Sequence, residues 1–257
     1  MTTVHPTALV DESAELGRHV RVGAFAIIGP NVRIGDDTEI ASRVTIECNT
    51  NIDSGCYLGS GAVIGSDPQD MKFAGETTWV EIGKATRIRE YVTINRGTSA
   101  SKRTSIGARC LLMSYVHVAH DCRIGDDVVL SNGVQVGGHV GIGNGATIGG
   151  STSIHQFVRV GTQAFIGGGS HVARDVAPYV KAAGSPLKLY GTNTVGLRRL
   201  GVSAESRLAL KHAYRILFNS DVPFPVAISQ LEECDGDVPE VSSLLEFLSH
   251  SARGVTR

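Results

Sequence analysis

Two histidines and an aspartate lie close together in the segment YVHVAHDCRIGDD, residues 115–127. His117 and His120 are three residues apart, and Asp121 follows directly. Imidazole and carboxylate groups at this spacing can ligate a metal ion, or can act as a general base with its orienting acid. They can also be ordinary surface residues. The segment alone leaves all three interpretations open, so the elements that position it have to be considered.

A six-residue repeat runs through most of the chain and includes this segment. Stepping by six from Val4 to Val172 meets Leu, Ile or Val at 26 of 29 positions, the exceptions being Asp70, Glu76 and Ala100. A period of six fits neither a 3.6-residue helix nor a simple alternating strand. It predicts an all-β solenoid in which one aliphatic side chain per hexad points inward and three hexads form a triangular coil. About nine to ten such coils are expected.

The three-hexad coil predicts which residues lie above one another in the uninterrupted stretch around the histidines. His120, Gly138 and Gln156 form one column, and Asp121 and His139 form the next. A histidine one coil away from a glycine can lie near a backbone N–H with no side chain between them. A general base beside an oxyanion donor is the minimum that acyl transfer needs, and an adjacent acid can fix the tautomer of the base. The column favours a catalytic site over solvated surface residues.

Composition limits the class of protein. Glycine is abundant, with 31 among 257 residues, and the net charge of −1 gives no reason to expect binding to nucleic acid or to an anionic membrane. The five cysteines are odd in number and show no CxxC spacing, which is typical of a reducing compartment. With no secretory signal and no apolar run of about 18 residues, we expect a soluble cytoplasmic protein without an integral membrane segment.

The repeat is interrupted twice and then ends. Polar stretches around 65–79 and 96–105 are predicted to be loops that leave the coil, and such loops often carry function. Residues 1–185 are predicted to form the solenoid, and residues 186–257 a C-terminal helical domain. Periodicity within that domain predicts helices at 192–199, 204–219, 223–234 and 238–250.

The hexads and a set of short motifs together resemble the bacterial UDP-N-acetylglucosamine acyltransferases. The motifs are HVAHDC at 117–122, GGHV at 137–140, IHQF at 154–157, PQDMKFAGE at 68–76, VTINRGT at 92–98 and SARGVTR at 251–257. The resemblance covers essentially the whole chain and implies a left-handed parallel β-helix that forms a homotrimer, with active sites between neighbouring chains. It also implies transfer of an R-3-hydroxyacyl group from acyl carrier protein to the 3-position of the glucosamine in UDP-N-acetylglucosamine, the first step of lipid A biosynthesis.

The resemblance assigns roles residue by residue. It implies that His120 is the general base, Asp121 its orienting acid and the Gly138 N–H the oxyanion donor. Gly168 matches a position at the floor of the acyl groove, where a glycine leaves room for a chain longer than roughly ten carbons. No cofactor and no metal ion is expected. The residues matched to positions that bind the sugar, the phosphates, the acyl chain or the nucleotide are Gln69, Asp70, Lys72, His117, His139, His155, Gln156, Asn193 and Arg199.

Three residues depart from the pattern of the family. Asn95 stands where the family has the histidine of TIHRGT, and Val195 and Leu200 replace an acidic and a basic residue that usually help to hold the nucleotide. A changed acceptor, such as a 3-amino sugar nucleotide that gives an amide product, is therefore an open alternative. Because the carrier protein is acidic, a basic surface is expected near the groove, although a solvated helix face is an equal interpretation. The candidate basic residues are Arg198, Arg199, Arg207, Lys211 and Arg215.

Two other classes of function compete with acyl transfer. In a γ-type carbonic anhydrase, a solenoid of the same kind binds zinc through three histidines from two subunits, and His117, His120 and His139 can be interpreted in that way. A non-catalytic relative that binds a sugar nucleotide without turnover is the second alternative, which the departures at Asn95, Val195 and Leu200 keep open.

Overall fold

In most hexads the aliphatic residue is the last residue of a short strand, and it points into the interior of the protein. In the computed structural model, which describes residues 1–251 and 253–257, Ile46, Leu58, Ile94 and Leu130 are completely buried. The preceding residue of each strand points outward and is polar or partly exposed in most coils. The predicted column of aliphatic side chains therefore lies in the core, together with a second set of buried, mostly smaller residues two positions earlier in the hexad, such as Val44.

The described residues form short strands followed by four helices. In chain order the strands are β1 (Thr3–Val4), β2 (Leu9–Val10), β3 (Glu15–Leu16), β4 (Arg21–Val22), β5 (Ile27–Ile28), β6 (Val32–Ile34), β7 (Glu39–Ile40), β8 (Thr45–Ile46), β9 (Thr50–Ile52), β10 (Tyr57–Leu58), β11 (Val63–Ser66), β12 (Trp79–Ile82), β13 (Arg87–Ile88), β14 (Thr93–Asn95), β15 (Arg103–Ile106), β16 (Leu111–Leu112), β17 (His117–Val118), β18 (Arg123–Ile124), β19 (Val129–Leu130), β20 (Gln135–Val136), β21 (Gly141–Ile142), β22 (Thr147–Ile148), β23 (Ser153–Ile154), β24 (Arg159–Val160), β25 (Phe165–Ile166), β26 (His171–Val172), β27 (Val180–Ala183) and β28 (Lys188–Thr192). The helices are α1 (Thr194–Arg199), α2 (Ala204–Phe218), α3 (Phe224–Asp235) and α4 (Pro239–Ser249).

The strands form three sheets that make up the sides of a parallel β-helix. The first sheet begins with β1, β4 and β7, the second with β2, β5 and β8, and the third with β3, β6 and β9. Every third strand belongs to the same sheet, so each coil contributes one strand to each side. The strands pair in parallel, except that β28 pairs with β27 in the antiparallel direction. This architecture confirms the predicted β-solenoid of hexapeptide repeats.

The pairing register confirms the coil length and shows how the loops fit into it. Leu111 pairs with Val129, and Val129 with Thr147, and each step advances along the chain by three hexads. Across the first loop Tyr57 pairs with Arg87, five hexads on, and across the second loop Arg87 pairs with Leu111, four hexads on. The first loop therefore adds two hexads to its coil and the second adds one. For this reason the six-residue step continues through both interruptions.

The C-terminal part covers one end of the solenoid. β27 pairs in parallel with β25 of the first sheet, and β28 folds back onto β27 before α1 begins. Ser203 is the N-cap residue of α2, and its side chain accepts a hydrogen bond from the Ser206 N–H. All four helices lie within two residues of the predicted ranges. The division into domains at residues 185 and 186 stays a prediction, since β27 and β28 continue the first sheet across it.

The two residues of β16 provide a test of inward packing. Leu112 is fully buried between Ile88 and Leu130, whereas Leu111 points outward. We expect Leu112→Ala to lower the free energy of unfolding by about 2–5 kcal/mol, because it leaves a cavity in a closely packed column. The same substitution at Leu111, on the same strand, should cost less than about half as much. Denaturant unfolding of both variants measures the difference, and equal losses would contradict the inward assignment.

Candidate functional site

His120 and Asp121 occupy the corner of the coil between the second and the third sheet. β17, which contains His117, precedes the corner, and β18 follows it. Asp121 has a left-handed backbone conformation with φ of 61°. Aspartate adopts this conformation more readily than most side chains, which suits it to a tight corner. The strand on either side fixes this backbone, so both side chains are held on a rigid element.

The carboxylate of Asp121 is completely buried, and the second loop encloses it. The Thr98 N–H donates to Oδ1 at 3.0 Å and the Thr98 hydroxyl to Oδ2 at 2.8 Å. The Ser101 N–H donates to Oδ1 at 3.2 Å, and the Ser101 hydroxyl donates to the same oxygen. Burial raises the pKa of Asp121, but the hydrogen bonds from Ser101, His120 and Thr98 outweigh it and lower that pKa to about 2. The group is therefore a carboxylate at neutral pH.

The imidazole of His120 lies between this carboxylate and the backbone of Gly138. Its Nδ1 is 2.8 Å from Asp121 Oδ2. A carboxylate accepts only, so Nδ1 carries the hydrogen and Nε2 is left as the acceptor. A Cβ atom built on Gly138 would lie 2.7 Å from His120 Cε1 and 2.8 Å from Nε2. The predicted stacking of His120 on Gly138 is therefore present, and no side chain larger than hydrogen fits between them.

The Gly138 N–H has no hydrogen-bond acceptor among the described residues. The Gly138 carbonyl accepts from the Phe157 N–H at 3.0 Å, and the His120 carbonyl accepts from the His139 N–H at 3.0 Å. These bonds fix the two corners relative to each other while leaving the Gly138 N–H free. A backbone donor beside the basic nitrogen of an imidazole is an arrangement that can stabilise an oxyanion.

The other predicted pocket residues on this side of the solenoid surround His120 to different extents. His139 packs edge-on against His120, with ring centroids 5.1 Å apart, and stacks on Phe157 at 4.5 Å. The half-buried His117 shares a hydrogen bond of 2.8 Å with the Thr93 hydroxyl. Burial, together with the nearby His120, lowers the pKa of His117. His155 and Gln156 follow in the next coil and are exposed. The sequence did not single out Phe157, which fixes the plane of His139.

The first loop is anchored at its base by Arg96, which is itself buried. The Arg96 guanidinium donates to the Gly65 carbonyl at 3.2 Å, forms an ion pair with Asp67 and lies over the Phe73 ring at 5.3 Å from its centroid. Asn95 assists, because its amide donates to the Asp67 carbonyl at 2.8 Å. The asparagine that departs from the family pattern therefore has a structural contact of its own.

The predicted sugar and phosphate residues lie on the loop that this anchor holds. Gln69 and Lys72 are exposed. Asp70 differs from them, because its carboxylate accepts a hydrogen bond from the Lys72 N–H at 2.9 Å and shapes the loop itself. The loop thus presents an ammonium and an amide to solvent on a turn that Asp70 stabilises.

Three predicted residues lie away from this corner. Asn193 is buried, caps α1 through the Gly196 N–H at 3.1 Å and donates to the Gln163 carbonyl at 2.9 Å. Gln163 belongs to the corner between the third and the first sheet, so Asn193 and the exposed Arg199 on α1 lie at a different corner from His120. Gly168 is exposed, and a Cβ built on it would lie 3.1 Å from the Gly150 carbonyl oxygen one coil earlier.

One cluster of side chains in the structure overlaps with the zinc ligands of the carbonic anhydrase interpretation. Within the described part of the chain, the cluster of at least three potential ligands whose ligand atoms lie within 4.8 Å of one another consists of His120, Asp121 and His139. His117, which the zinc hypothesis needs, is outside this set. The Asp121 oxygens are already used by Thr98, Ser101 and His120, so the carboxylate has little capacity left for a cation.

Stability at low pH should report the buried carboxylate. Because the pKa of Asp121 is about 2 in the folded protein and 3.8 is its ordinary value, Asp121 stabilises the fold above pH 4, and this contribution is lost as the pH falls through 4 towards 2. Relative to Asp121→Asn, the wild type should lose about 1 kcal/mol of unfolding free energy between pH 6 and pH 3. Denaturant unfolding across that range gives the difference. A constant difference would mean that Asp121 is not held as a carboxylate.

Comparison with known proteins identifies the family. A family model described as UDP-N-acetylglucosamine O-acyltransferase, domain 2, matches residues 175–256, and one described as bacterial transferase hexapeptide matches residues 13–48 and 103–138. A protein of Alkalilimnicola ehrlichii named acyl-[acyl-carrier-protein]–UDP-N-acetylglucosamine O-acyltransferase is 47% identical over 258 residues, covering all of both chains. A protein of the same name from Paraburkholderia phymatum is also 47% identical, over 263 residues and the whole of both chains.

Solved structures agree in fold. The UDP-N-acetylglucosamine O-acyltransferase of Moraxella catarrhalis is 43% identical with a TM-score of 0.96, and each chain is covered to 99%. The corresponding structure from Acinetobacter baumannii is 39% identical with the same TM-score and coverage. The solenoid is thus the left-handed parallel β-helix that the resemblance implies, with helices at its C-terminal end. The chain belongs to the acyl-[acyl-carrier-protein]–UDP-N-acetylglucosamine O-acyltransferase family.

Proposed function

We propose that this protein transfers an R-3-hydroxyacyl group from acyl carrier protein to the 3-hydroxyl of the glucosamine in UDP-N-acetylglucosamine, with His120 as the general base. This is the O-acyltransferase reaction of the family, the first step of lipid A biosynthesis. The observation that carries the catalytic assignment is the position of His120, which lies between the buried Asp121 carboxylate and the backbone of Gly138. This arrangement brings a base, an orienting acid and an oxyanion donor together from two adjacent coils.

The geometry accounts for each step of the transfer. His120 Nε2 removes the proton of the sugar hydroxyl as its oxygen attacks the thioester carbonyl of the donor. Negative charge then grows on the carbonyl oxygen, where the free Gly138 N–H donates a hydrogen bond. When the tetrahedral intermediate collapses, the carbon–sulfur bond breaks and the imidazolium of His120 returns its proton to the leaving thiolate of the carrier. Asp121 stabilises that imidazolium while it exists.

The surrounding residues suit the binding of a sugar nucleotide. Four residues on the same side of the solenoid as His120, either in its own coil or in the two coils after it, are assigned to the sugar and acyl pocket: His117, His139, His155 and Gln156. Lys72, exposed on the first loop, is assigned to the pyrophosphate, for which an ammonium is a suitable partner. Gln69 is assigned to the sugar beside it. Asp70 acts through the shape of the loop.

A homotrimer with active sites between neighbouring chains accounts for the residues that lie elsewhere. Asn193 and Arg199 are matched to the nucleotide but lie at a different corner from His120. A second copy of the chain can bring this corner to His120 of the first. Outward-facing apolar side chains on the second sheet also favour contact with another chain, since Leu9 is 67% and Ile27 is 44% exposed in the single chain.

The carrier protein is assigned to the outer face of α2. Lys211 and Arg215 line a groove of about 1170 Å³ between β28, α2 and the start of α4. Arg207 is less available, because its guanidinium donates to the Val202 carbonyl. The groove also contains Glu205, Asp235 and Asp237, so its charge is mixed. Arg198 and Arg199 on the neighbouring α1 are exposed and supply further positive charge.

A 3-amino sugar nucleotide is the second candidate acceptor. The buried Oδ1 of Asn95 has no hydrogen-bond partner among the described residues, and an amine offers one more donor hydrogen than a hydroxyl does. Val195 and Leu200 are exposed, at 60% and 57%, and make no polar contact to a nucleotide from their side chains. Testing both acceptors in one assay decides between an ester and an amide product.

We also assign the protein to the cytoplasm. Its five cysteines are free, and burial raises the pKa of the Cys122 thiol to about 12, so this thiol is inert. Of the helices in residues 1–251 and 253–257, none is both long and apolar enough to cross a lipid bilayer.

Replacing His120 tests the catalytic assignment. His120→Ala should lower acyl transfer to UDP-N-acetylglucosamine by at least ~100-fold, the usual scale for loss of a general base, with little change in unfolding. His19→Ala is a matched control, because His19 forms a pair with Asp37 at 3.1 Å on an exposed corner far along the chain. The assay uses R-3-hydroxyacyl carrier proteins as donors. A His120→Ala variant within tenfold of the wild type would exclude His120 as the base.

Replacing Gly168 tests the acyl groove. Gly168→Met places a side chain where only the Gly150 backbone now lies, so the end of a long acyl chain loses its space. At about 0.8 kcal/mol per buried methylene, excluding four carbons should lower the activity ratio of 14-carbon to 10-carbon donors by roughly 200-fold. Because both donors are assayed with the same enzyme preparation, the ratio does not depend on the fraction of active enzyme. An unchanged ratio would show that the chain ends elsewhere.

A further inference from the structure

The second loop supplies most of the hydrogen bonds that the Asp121 carboxylate accepts. Thr98 and Ser101 each donate one backbone N–H and one hydroxyl hydrogen to this carboxylate. The Oδ1 atom accepts from three of these donors, and Oδ2 accepts from the Thr98 hydroxyl and from His120 Nδ1. A carboxylate has about four lone-pair sites, so the loop and the histidine together saturate it.

A saturated carboxylate cannot rotate without breaking several charge-assisted hydrogen bonds. Rotation matters here because a second imidazole is close by, with His139 Nε2 3.7 Å from Oδ2. His120 Nδ1 is only 2.8 Å from the same oxygen. The loop donors hold Oδ2 towards His120, and the stacking of His139 on Phe157 holds the competing ring in place. The loop thus determines which of the two histidines is hydrogen-bonded to the Asp121 carboxylate.

We propose that Thr98 and Ser101 are positioning residues for the acyl transfer: they hold Asp121 in one orientation, so that His120 keeps its hydrogen on Nδ1 and its basic Nε2 towards the acceptor hydroxyl. Neither residue touches substrate in this arrangement. The inference rests on the proposed role of His120 and adds the loop of residues 96–102 to the catalytic apparatus. The loop is then functional because of what it does to Asp121.

The competing explanation is that the loop depends on Asp121 for its conformation, and that the orientation of Asp121 does not depend on the loop. In that case Asp121 only anchors the loop, as a buried acceptor for four donors, and loss of the Thr98 hydroxyl destabilises the loop without a specific effect on catalysis. The two explanations differ in kinetics. A positioning role lowers kcat and leaves KM for both substrates nearly unchanged, whereas a disordered loop raises KM or lowers the amount of folded protein.

The kinetic test uses single substitutions with matched controls. Thr98→Val and Ser101→Ala should each lower kcat about tenfold or more, since a small misplacement of a catalytic group costs up to roughly 100-fold, with KM within about threefold of the wild type. Thr98→Ser retains the hydroxyl and should recover most of the activity. Thr104→Val is the control, because Thr104 is buried in β15, directly after the loop, and its hydroxyl has no partner among the described residues.

A double-mutant cycle with Asp121→Asn makes the test independent of folding. If Thr98 acts through the carboxylate, adding Thr98→Val to Asp121→Asn should change kcat less than about twofold. Equal losses in both backgrounds would overturn the inference, as would Thr98→Val and Ser101→Ala variants with wild-type kcat. Ser101→Ala provides the same cycle if Thr98→Val does not fold. An active His120→Ala variant would instead remove the proposed base, whereas an inactive His120→Ala beside fully active loop variants would overturn this inference alone.

Discussion

Backbone hydrogen bonds between successive coils are the interaction on which the rest of this protein depends. Each corner donates to the coil before or after it, as the His139 N–H does to the His120 carbonyl at 3.0 Å. Because these bonds fix the vertical register, residues one coil apart must lie above each other whatever their side chains are. The aliphatic column supplies the free energy of folding, and the register supplies the geometry. Side chains on a corner are therefore aligned by the backbone register of the scaffold, and no further interaction is needed to align them.

The same register determines how much could be predicted. The inward aliphatic positions and the stacking of His120 on Gly138 follow from counting residues, because both lie in stretches where every coil has the same length. The counting even passes through the loops, since they add whole hexads. What could not be predicted is the contact of Thr98 and Ser101 with Asp121, which the loop brings together from distant positions in the sequence. The path of a loop depends on its own turns and not on the repeat, so no periodicity indicates it. Asn193 shows another limit, because a motif match does not reveal that both ends of its amide are used within the chain.

Burial of Asp121 explains why a loop is needed at this corner. An ionised carboxylate without partners is too costly to bury, and a corner of bare backbone offers too few donors to satisfy both oxygens. Most corners avoid the problem by placing charges in solvent, as Arg109 and Asp127 do with an exposed ion pair. The corner that we propose to be catalytic cannot place Asp121 in solvent, since water would compete for the hydrogen bond between Asp121 and His120. The additional hexad of the second loop provides the missing donors while preserving the register. Hydrogen bonds from the loop therefore offset the desolvation of the buried carboxylate.

The proposed site is divided between two corners of the solenoid, so its activity should depend on assembly of the chains. The groups proposed to move the proton and to hold the oxyanion all lie in one chain, within two coils, and are rigid in the absence of any partner. In the proposed trimer, the residues matched to the nucleotide lie at another corner and complete the site only when a second copy is present. A separated chain should then retain the hydrogen-bonded pair of His120 and Asp121 but lose affinity for the nucleotide. In the proposed trimer, the coil register would therefore set the chemistry, and the contact between chains would set substrate recognition.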